Sequence, residues 1–202
     1  TSYKETFAPN FFTFDNKNIY AVSNIGRDKT AIVEYDLAAK KEIRELYKNA
    51  EYDVDGLGYS PKRKVLEAAY YTSWKGEQYF LDKDAEADYN KMKDKFKGYE
   101  IAIYGNNNEE DKFIVWTGND KLPAKFYFYD KKTGETKYLA TSRPWLKEED
   151  MATMKPIEYK SRDGLTIHGY HTLPKGVEAK NLPVIVNPHG GPWARDAWGF
   201  NN

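Results

Sequence analysis

The residues best suited to chemistry lie near the end of the sequence, in the turn His189-Gly190-Gly191-Pro192. The turn follows an apolar run, Leu182 to Val186, that breaks at Asn187-Pro188. Two adjacent glycines let the backbone approach a ligand without Cβ atoms in the way. A backbone N–H placed there can donate to an oxygen that gains negative charge during a reaction. We therefore predict an oxyanion-stabilising role for His189, Gly190 and Gly191, although an isolated turn of this composition is more often only a tight turn.

Two opposite charges, Arg195 and Asp196, follow the turn. A planar guanidinium suits a substrate carbonyl or carboxylate, so Arg195 is a candidate substrate-binding residue. In the alternative interpretation the two charges pair locally and hold the loop in place. We favour this structural interpretation and keep the other open.

Other candidates are better explained as structure. Ser60 lies in a Gly-x-Ser sequence, but Lys62 replaces the glycine that would close a nucleophile turn, so we predict a turn serine. His168 and His171 are three apart in an alternating strand and therefore face opposite sides, which argues against a metal pair. The acidic run from Asp82 to Asp88 lacks the glycine of a calcium loop and fits a helix start. We expect no metal and no cofactor.

Composition excludes several classes of partner. The 202 residues carry 31 basic and 31 acidic side chains, so nothing favours nucleic acid or an anionic membrane surface. The 17 Tyr, 10 Phe and 5 Trp supply apolar area that disordered chains lack, so the chain should fold.

No feature of the sequence fixes its compartment. There is no cysteine, and no apolar run approaches the ~18 residues of a membrane span. The chain starts at Thr1 without a visible signal peptide, and we interpret it as a piece of a longer protein. We expect a soluble protein, either cytoplasmic or periplasmic.

The first two thirds of the sequence repeat. Turn signals recur every 45 residues, at Asp15-Asn16, Ser60-Pro61 and Gly105-Asn106, and each precedes an aromatic or β-branched run. Each of these runs is followed by a second run that ends in aspartate. Two of these aspartates, Asp36 and Asp130, introduce short turns. Four short antiparallel strands per repeat are typical of a β-propeller blade. We therefore predict about three blades in residues 1–142.

The second repeat carries an insertion, residues 84–98, with Tyr89, Met92 and Phe96 at helical spacing and Gly98 as a stop. The spacing predicts a short amphipathic helix.

The repeat ends in a hinge, which we place at residues 143–155. Residues 156–202 then begin with alternating strands around Asp163-Gly164, a dipeptide typical of two-residue hairpin turns. The apolar run at 182–187 predicts a strand buried on both faces, as in a parallel sheet.

These motifs carry a family resemblance. Residues 182–200 resemble the start of the catalytic domain in the prolyl oligopeptidase family of serine peptidases, in particular its acylaminoacyl-peptidase and dipeptidyl-peptidase-like bacterial branch. The similarity extends back through residues 143–176 and, more weakly, through Ser23 to Asp36. It implies a mainly β fold with a partial propeller, followed by the first strands of an α/β-hydrolase domain. Wider family members have Tyr where His189 stands, so the identity of the second oxyanion donor stays open.

The resemblance also implies an activity. The parent protein would hydrolyse short peptides or acylaminoacyl-peptides through a Ser-Asp-His triad that lies beyond this chain, and this chain alone would be inactive. One alternative is a non-enzymatic propeller module that binds a protein partner, and another is an esterase. Open sheet edges also predict self-association of the isolated chain.

Overall fold

The computed structural model describes residues 3–191 and 194–201. Strands make up 44% of the chain and helices 8%, which confirms the mainly β prediction. The chain divides into two compact units, Thr1–Lys91 with Asn108–Glu110, and Met92–Asn107 with Asp111–Asn202.

The first repeat forms one four-stranded antiparallel meander with the order β1-β2-β3-β4. Its strands are β1 (Phe7–Phe12), β2 (Asn18–Ser23), β3 (Ala31–Asp36) and β4 (Lys41–Lys48). The core lies on the two central strands, where Ala21, Ile32 and Val33 are fully buried. Their Val/Ile/Ala composition suits a strand covered on both faces, and the sheet has the four-strand arrangement expected of one repeat.

The second repeat pairs three strands rather than the predicted four, in the order β5-β6-β7. The strands are β5 (Val54–Ser60), β6 (Val65–Thr72) and β7 (Gly76–Phe80). The predicted helix, α1 (Lys83–Lys95), follows directly. Asp82 caps it by accepting a hydrogen bond from the amide of Ala85 at 2.8 Å. The chain therefore leaves this sheet because the residues after Asp82 are capped as a helix.

The helix prediction is confirmed in detail. Met92 and Phe96 are 2% and 7% exposed, so the apolar stripe is the buried one. Gly98 adopts φ +87°, the left-handed conformation that glycine accepts most easily after a helix.

The third repeat is again a four-stranded meander, with the order β11-β10-β9-β8. Its strands are β8 (Glu100–Asn106), β9 (Lys112–Gly118), β10 (Lys125–Asp130) and β11 (Thr136–Thr141). The predicted aspartate turn is present, because Asp130 Oδ1 accepts the amides of Lys132 and Thr133 at 2.9 and 3.1 Å. Asp36 accepts those of residues 38 and 39 in the same way.

After the meanders, a 3-10 turn (Glu148–Asp150) precedes the hairpin of β12 (Met154–Lys160) and β13 (Thr166–Thr172). The hairpin is confirmed, but its loop is longer than the predicted two residues. Gly164 donates to the Ser161 carbonyl and Ser161 donates to the Leu165 carbonyl. Gly164 has φ +86°, so the glycine closes a wider turn in the left-handed conformation.

The prediction of a buried strand at 182–187 is wrong for this structure. The segment has no regular secondary structure, and Val184, Ile185 and Val186 are 82%, 94% and 82% exposed. A strand needs at least one hydrogen-bonded neighbour, and no strand among the described residues pairs with this segment. None of the described helices is long and apolar enough to cross a bilayer.

Candidate functional site

The segment predicted to be a hinge, residues 143–155, is held to the third meander by Glu148. Its carboxylate accepts hydrogen bonds from the Tyr99 hydroxyl at 2.7 Å and from Asn119 Nδ2 at 2.8 Å. Burial raises the pKa of Glu148, but these two hydrogen bonds and the positive charges of Lys121 and Lys125 together outweigh burial, and the pKa lies below its usual value. The hydrogen bond between Tyr99 and Glu148 is the main cause that raises the pKa of Tyr99 to about 12. The 3-10 turn is therefore fixed by two charge-assisted hydrogen bonds.

The start of the hairpin is fixed at Met154. The Met154 amide donates to Asp120 Oδ2 at 2.7 Å, which ties β12 to the loop between β9 and β10. The Met154 carbonyl accepts from Trp198 Nε1 at 3.1 Å. One residue thus links the hinge, the hairpin and the segment that follows the candidate loop.

The candidate loop itself, residues 189–191, is exposed. Gly191 has φ +77°, a conformation that favours glycine. A Cβ atom added at Gly190 or Gly191 would meet no other atom within 4 Å. The backbone of the twin glycines is therefore unobstructed, as an approach by a ligand requires. Pro192, the last residue of the turn, lies outside the described residues.

The ring of His189 is exposed, and its Nδ1 lies 3.5 Å from the Gly190 carbonyl oxygen. Arg195 and Asp196, which follow the turn in the sequence, are exposed. Both interpretations of Arg195, as a substrate ligand and as a local structural charge, stay predictions.

Ser60 is enclosed by its own hydrogen bonds. Its side chain is 1% exposed, its hydroxyl donates to Glu110 Oε2 at 2.5 Å, and its oxygen accepts the Arg63 amide at 2.9 Å. A hydroxyl so enclosed at a turn cannot reach a substrate carbonyl. The prediction of a turn serine is confirmed.

The two histidines of the hairpin have different surroundings. His168 is exposed and its Nδ1 lies 3.3 Å from Glu158 Oε1 across the hairpin. His171 instead lines a cleft beside the hinge. Within residues 3–191 and 194–201, no three His, Asp or Glu side chains are grouped so as to hold a metal ion.

The turn Arg27-Asp28 lies in Ser23 to Asp36, the segment with the weaker family resemblance. Arg27 has a structural role there. The Arg27 guanidinium lies 2.6 Å from Glu42 Oε2 and donates to the Ser23 carbonyl at 3.1 Å. Arg27 therefore links the end of β2 to the start of β4.

Sequence reasoning missed two contacts near the loop. The indole of Trp198 reaches Met154, and the Arg143 guanidinium lies over the Phe200 ring at 5.6 Å. Both join the hinge to the residues just after the loop. The clustering of two aromatic residues after a Gly-Gly turn was the available signal, since buried indole N–H groups usually find an acceptor.

Together, the antiparallel meanders and the hairpin that follows them make a mainly β fold that resembles part of the prolyl oligopeptidase type. Solved structures bear this out. Prolyl oligopeptidase B from Galerina marginata matches with a TM-score of 0.53 and 19% identity, over 88% of this chain and 25% of that one. A prolyl endopeptidase matches with a TM-score of 0.56 and 13% identity, over 88% of this chain and 26% of that one. At these identities the likeness concerns the fold.

Two curated proteins are similar in sequence. Dipeptidyl aminopeptidase BIII from Pseudoxanthomonas mexicana is 29% identical over 96% of this chain. Dipeptidyl peptidase family member 6 from Caenorhabditis elegans is 21% identical over 94% of it. In each case the chain spans 29% of the length of the relative. No family model matches the chain. The resemblance to a segment of prolyl-oligopeptidase-type peptidases is therefore confirmed.

Proposed function

We propose that this chain is a segment of a serine peptidase that hydrolyses short peptides or acylaminoacyl-peptides. In this proposal residues 1–142 are blades of a propeller that restricts access to the site, residues 143–155 are the hinge, and residues 156–202 begin an α/β-hydrolase domain. The nucleophilic serine, the aspartate and the histidine come from residues outside the 202. The 29% identity over nearly the whole chain to a dipeptidyl aminopeptidase supports this class of activity.

The role proposed for this chain's own residues is oxyanion stabilisation. An acyl-transfer step places negative charge on the substrate carbonyl oxygen, and a preorganised N–H aimed at that oxygen lowers the barrier. Gly190 and Gly191 fit the role because their backbone is exposed and a Cβ at either position would meet nothing within 4 Å. This unobstructed Gly-Gly backbone is the observation that carries the proposal. One such donor contributes about 3 kcal/mol of transition-state stabilisation.

The neighbouring side chains have lesser roles in the proposal. His189 stands where a ring N–H could serve as the second donor. Arg195 is close enough along the chain to engage a carbonyl or carboxylate of the substrate. Neither role is needed for the amide to act.

The test uses the protein encoded by the complete reading frame and a matched pair of substitutions. Gly190→Pro removes the amide N–H, whereas Gly190→Ala keeps it and adds only a methyl group in open space. If the Gly190 amide is the donor, kcat for a dipeptidyl substrate falls about 100- to 1,000-fold in Gly190→Pro and changes little in Gly190→Ala. The same pair at Gly191 covers the other amide, with more strain expected because of its positive φ. Equal kcat for both members of both pairs would contradict an oxyanion role.

The choice of substrates separates the alternatives. Turnover of dipeptidyl or acylaminoacyl substrates supports the peptidase, and turnover of simple acyl esters alone supports the esterase. No turnover of either, with capture of a protein ligand, supports the interaction module. The isolated 202-residue chain should be inactive in each assay, and turnover that survives purification and is blocked by a serine-directed reagent would refute that expectation.

A further inference from the structure

A cleft of about 610 Å³ lies beside the hinge, between the 3-10 turn and the open end of the β12–β13 hairpin. Its volume falls in the range of small-molecule sites, roughly 300–1,000 Å³. Lys121 contributes from the loop after β9, Lys155 and His171 contribute from the hairpin, and Met151 and Leu173 supply apolar surface. None of the cleft residues belongs to the loop at 189–191.

The walls of the cleft are held in place by hydrogen bonds that do not involve a ligand. Glu148 is fixed by Tyr99 and Asn119, and Met154 is fixed by Asp120. Across the mouth, the Lys175 ammonium donates to the Glu149 carbonyl. The site is therefore preorganised, which reduces the entropy lost when a ligand binds.

His171 has an unexplained polar atom. Its Nδ1 is buried and has no hydrogen-bond partner within the described part of the chain. Because this atom has no accessible surface, His171 lines the cleft with its other atoms. His171 pairs directly with Lys155 across the hairpin, so both side chains lie on the same face of the two strands.

The charges in the cleft favour an anion. The lining carries three lysines, Lys121, Lys155 and Lys175, against two glutamates, Glu148 and Glu149, so its formal charge is +1. The two donors to the Glu148 carboxylate, the Tyr99 hydroxyl and the Asn119 amide, are neutral, so Glu148 keeps its negative charge and counts in this balance. Glu149 also lines the cleft, and its negative charge sets a limit on how many charges a ligand can carry.

We propose that this cleft binds the carboxylate of a small amphipathic ligand, in the class of a short peptide or an N-acylated amino acid. The two lysines hold the carboxylate, while Met151 and Leu173 pack against an aliphatic side chain. The lysines act as point charges and would bind phosphate as well, but the apolar wall makes no favourable contact with an inorganic ion. This inference stands apart from the proposed hydrolytic role.

The test titrates the 202-residue chain with N-acetyl-leucine and with N-acetyl-leucinamide, which differ only in the carboxylate. Binding is followed by the methyl resonances of Met151 and Ala152 and by the ¹⁵N shift of the His171 ring. We expect saturable shifts with the acid and at least tenfold weaker binding of the amide, since a charge-assisted hydrogen bond is worth about one order of magnitude or more.

A double variant, Lys121→Met with Lys155→Met, should weaken binding of the acid at least tenfold. The matched control is Lys137→Met, which removes an exposed lysine from β11 in the same unit and should leave binding unchanged. Circular dichroism and the urea midpoint establish that each variant is folded. Inorganic phosphate is the last probe.

Three results would overturn the proposal. One is equal binding of acid and amide, or no binding of either. Another is a double variant that is folded and binds the acid as the unaltered chain does. The third is phosphate binding as tight as that of the acid, which would leave only a cluster of cations.

Discussion

Trp198 donates its indole N–H to the main-chain carbonyl of Met154 at 3.1 Å, across 44 positions of sequence. This bond attaches the residues that follow the Gly-Gly turn to the first residue of β12. Met154 is itself held to the third meander through Asp120. The loop is exposed, yet the chain just beyond it is anchored to a fixed point of the fold.

We predict that Trp198→Phe loosens the loop without unfolding the unit. The substitution keeps an aromatic ring but removes the donor, which costs about 1 kcal/mol of local stability. Amide hydrogen exchange at residues 194–201 should become about fivefold faster. Trp145→Phe is the control, because Trp145 is 70% exposed. Unchanged amide hydrogen exchange in Trp198→Phe would show that the indole hydrogen bond does not anchor this segment.

Ser60 should matter for stability and not for reactivity. Ser60→Ala removes the hydroxyl that donates to Glu110 and accepts from Arg63, and the free energy of unfolding should fall by about 1–3 kcal/mol. Urea unfolding measures this. Ser142→Ala, at an exposed position, is the control and should change stability little. Covalent labelling of Ser60 by a serine-directed phosphonate in the folded chain would show that the hydroxyl is reachable after all.

The Asp111 carboxylate makes the stability of the third meander depend on pH. Hydrogen bonds from Lys132 and then from Asn107 lower the pKa of Asp111 to about 2. Because the folded pKa lies below the unfolded one, the contribution to stability is complete above the usual value of 3.8 and is lost as the pH falls towards 2. Asp111→Asn should therefore be less stable than the unaltered chain at pH 6, and the difference should shrink below pH 4.

The pH prediction has its own control and its own direct measurement. Asp150→Asn, at an exposed position of the 3-10 turn, should give a stability difference near zero at pH 6. The Asp111 carboxyl carbon resonance should titrate with a midpoint near 2. A midpoint at the usual value would contradict the contacts with Lys132 and Asn107.

We propose that the exposed apolar segment at 184–186 drives self-association of the isolated chain. Ile185 is 94% exposed within a Val-Ile-Val run, a composition that favours pairing with another strand. Ile185→Lys should reduce the weight-average mass measured by light scattering at high concentration. Val177→Lys, at an exposed valine outside the run, is the control. A mass that is independent of concentration in the unaltered chain would contradict the proposal.

Local signals were enough to predict most of the meanders. The runs of β2, β3, β9 and β10 alternate or are continuously apolar, and turn residues bound them at regular spacing. The helix was predictable because its stripe, its cap and its glycine stop agree. The second sheet has three strands rather than four because the residues after Asp82 carry the stronger signal for a helix.

At the candidate site, the sequence did not predict the contacts between residues far apart in the chain. The twin glycines and their neighbours were visible in the sequence, whereas the bond from Trp198 to Met154 and the cleft beside His171 join residues far apart in the chain. The strand predicted at 182–187 shows the same limit. Its composition suits burial in a parallel sheet, but composition does not supply the neighbouring strands on which such burial depends.

We propose that a backbone amide at 190 or 191 holds the oxyanion of an acyl-transfer reaction. The most direct measurement is a crystal structure of the protein from the complete reading frame bound to a dipeptidyl boronate, whose tetrahedral adduct mimics the transition state. We predict one boronate oxygen about 2.7–3.1 Å from the nitrogen of Gly190 or Gly191. A boronate bound elsewhere, or one whose oxygens are held by other donors with both glycine nitrogens out of hydrogen-bond reach, would contradict the account.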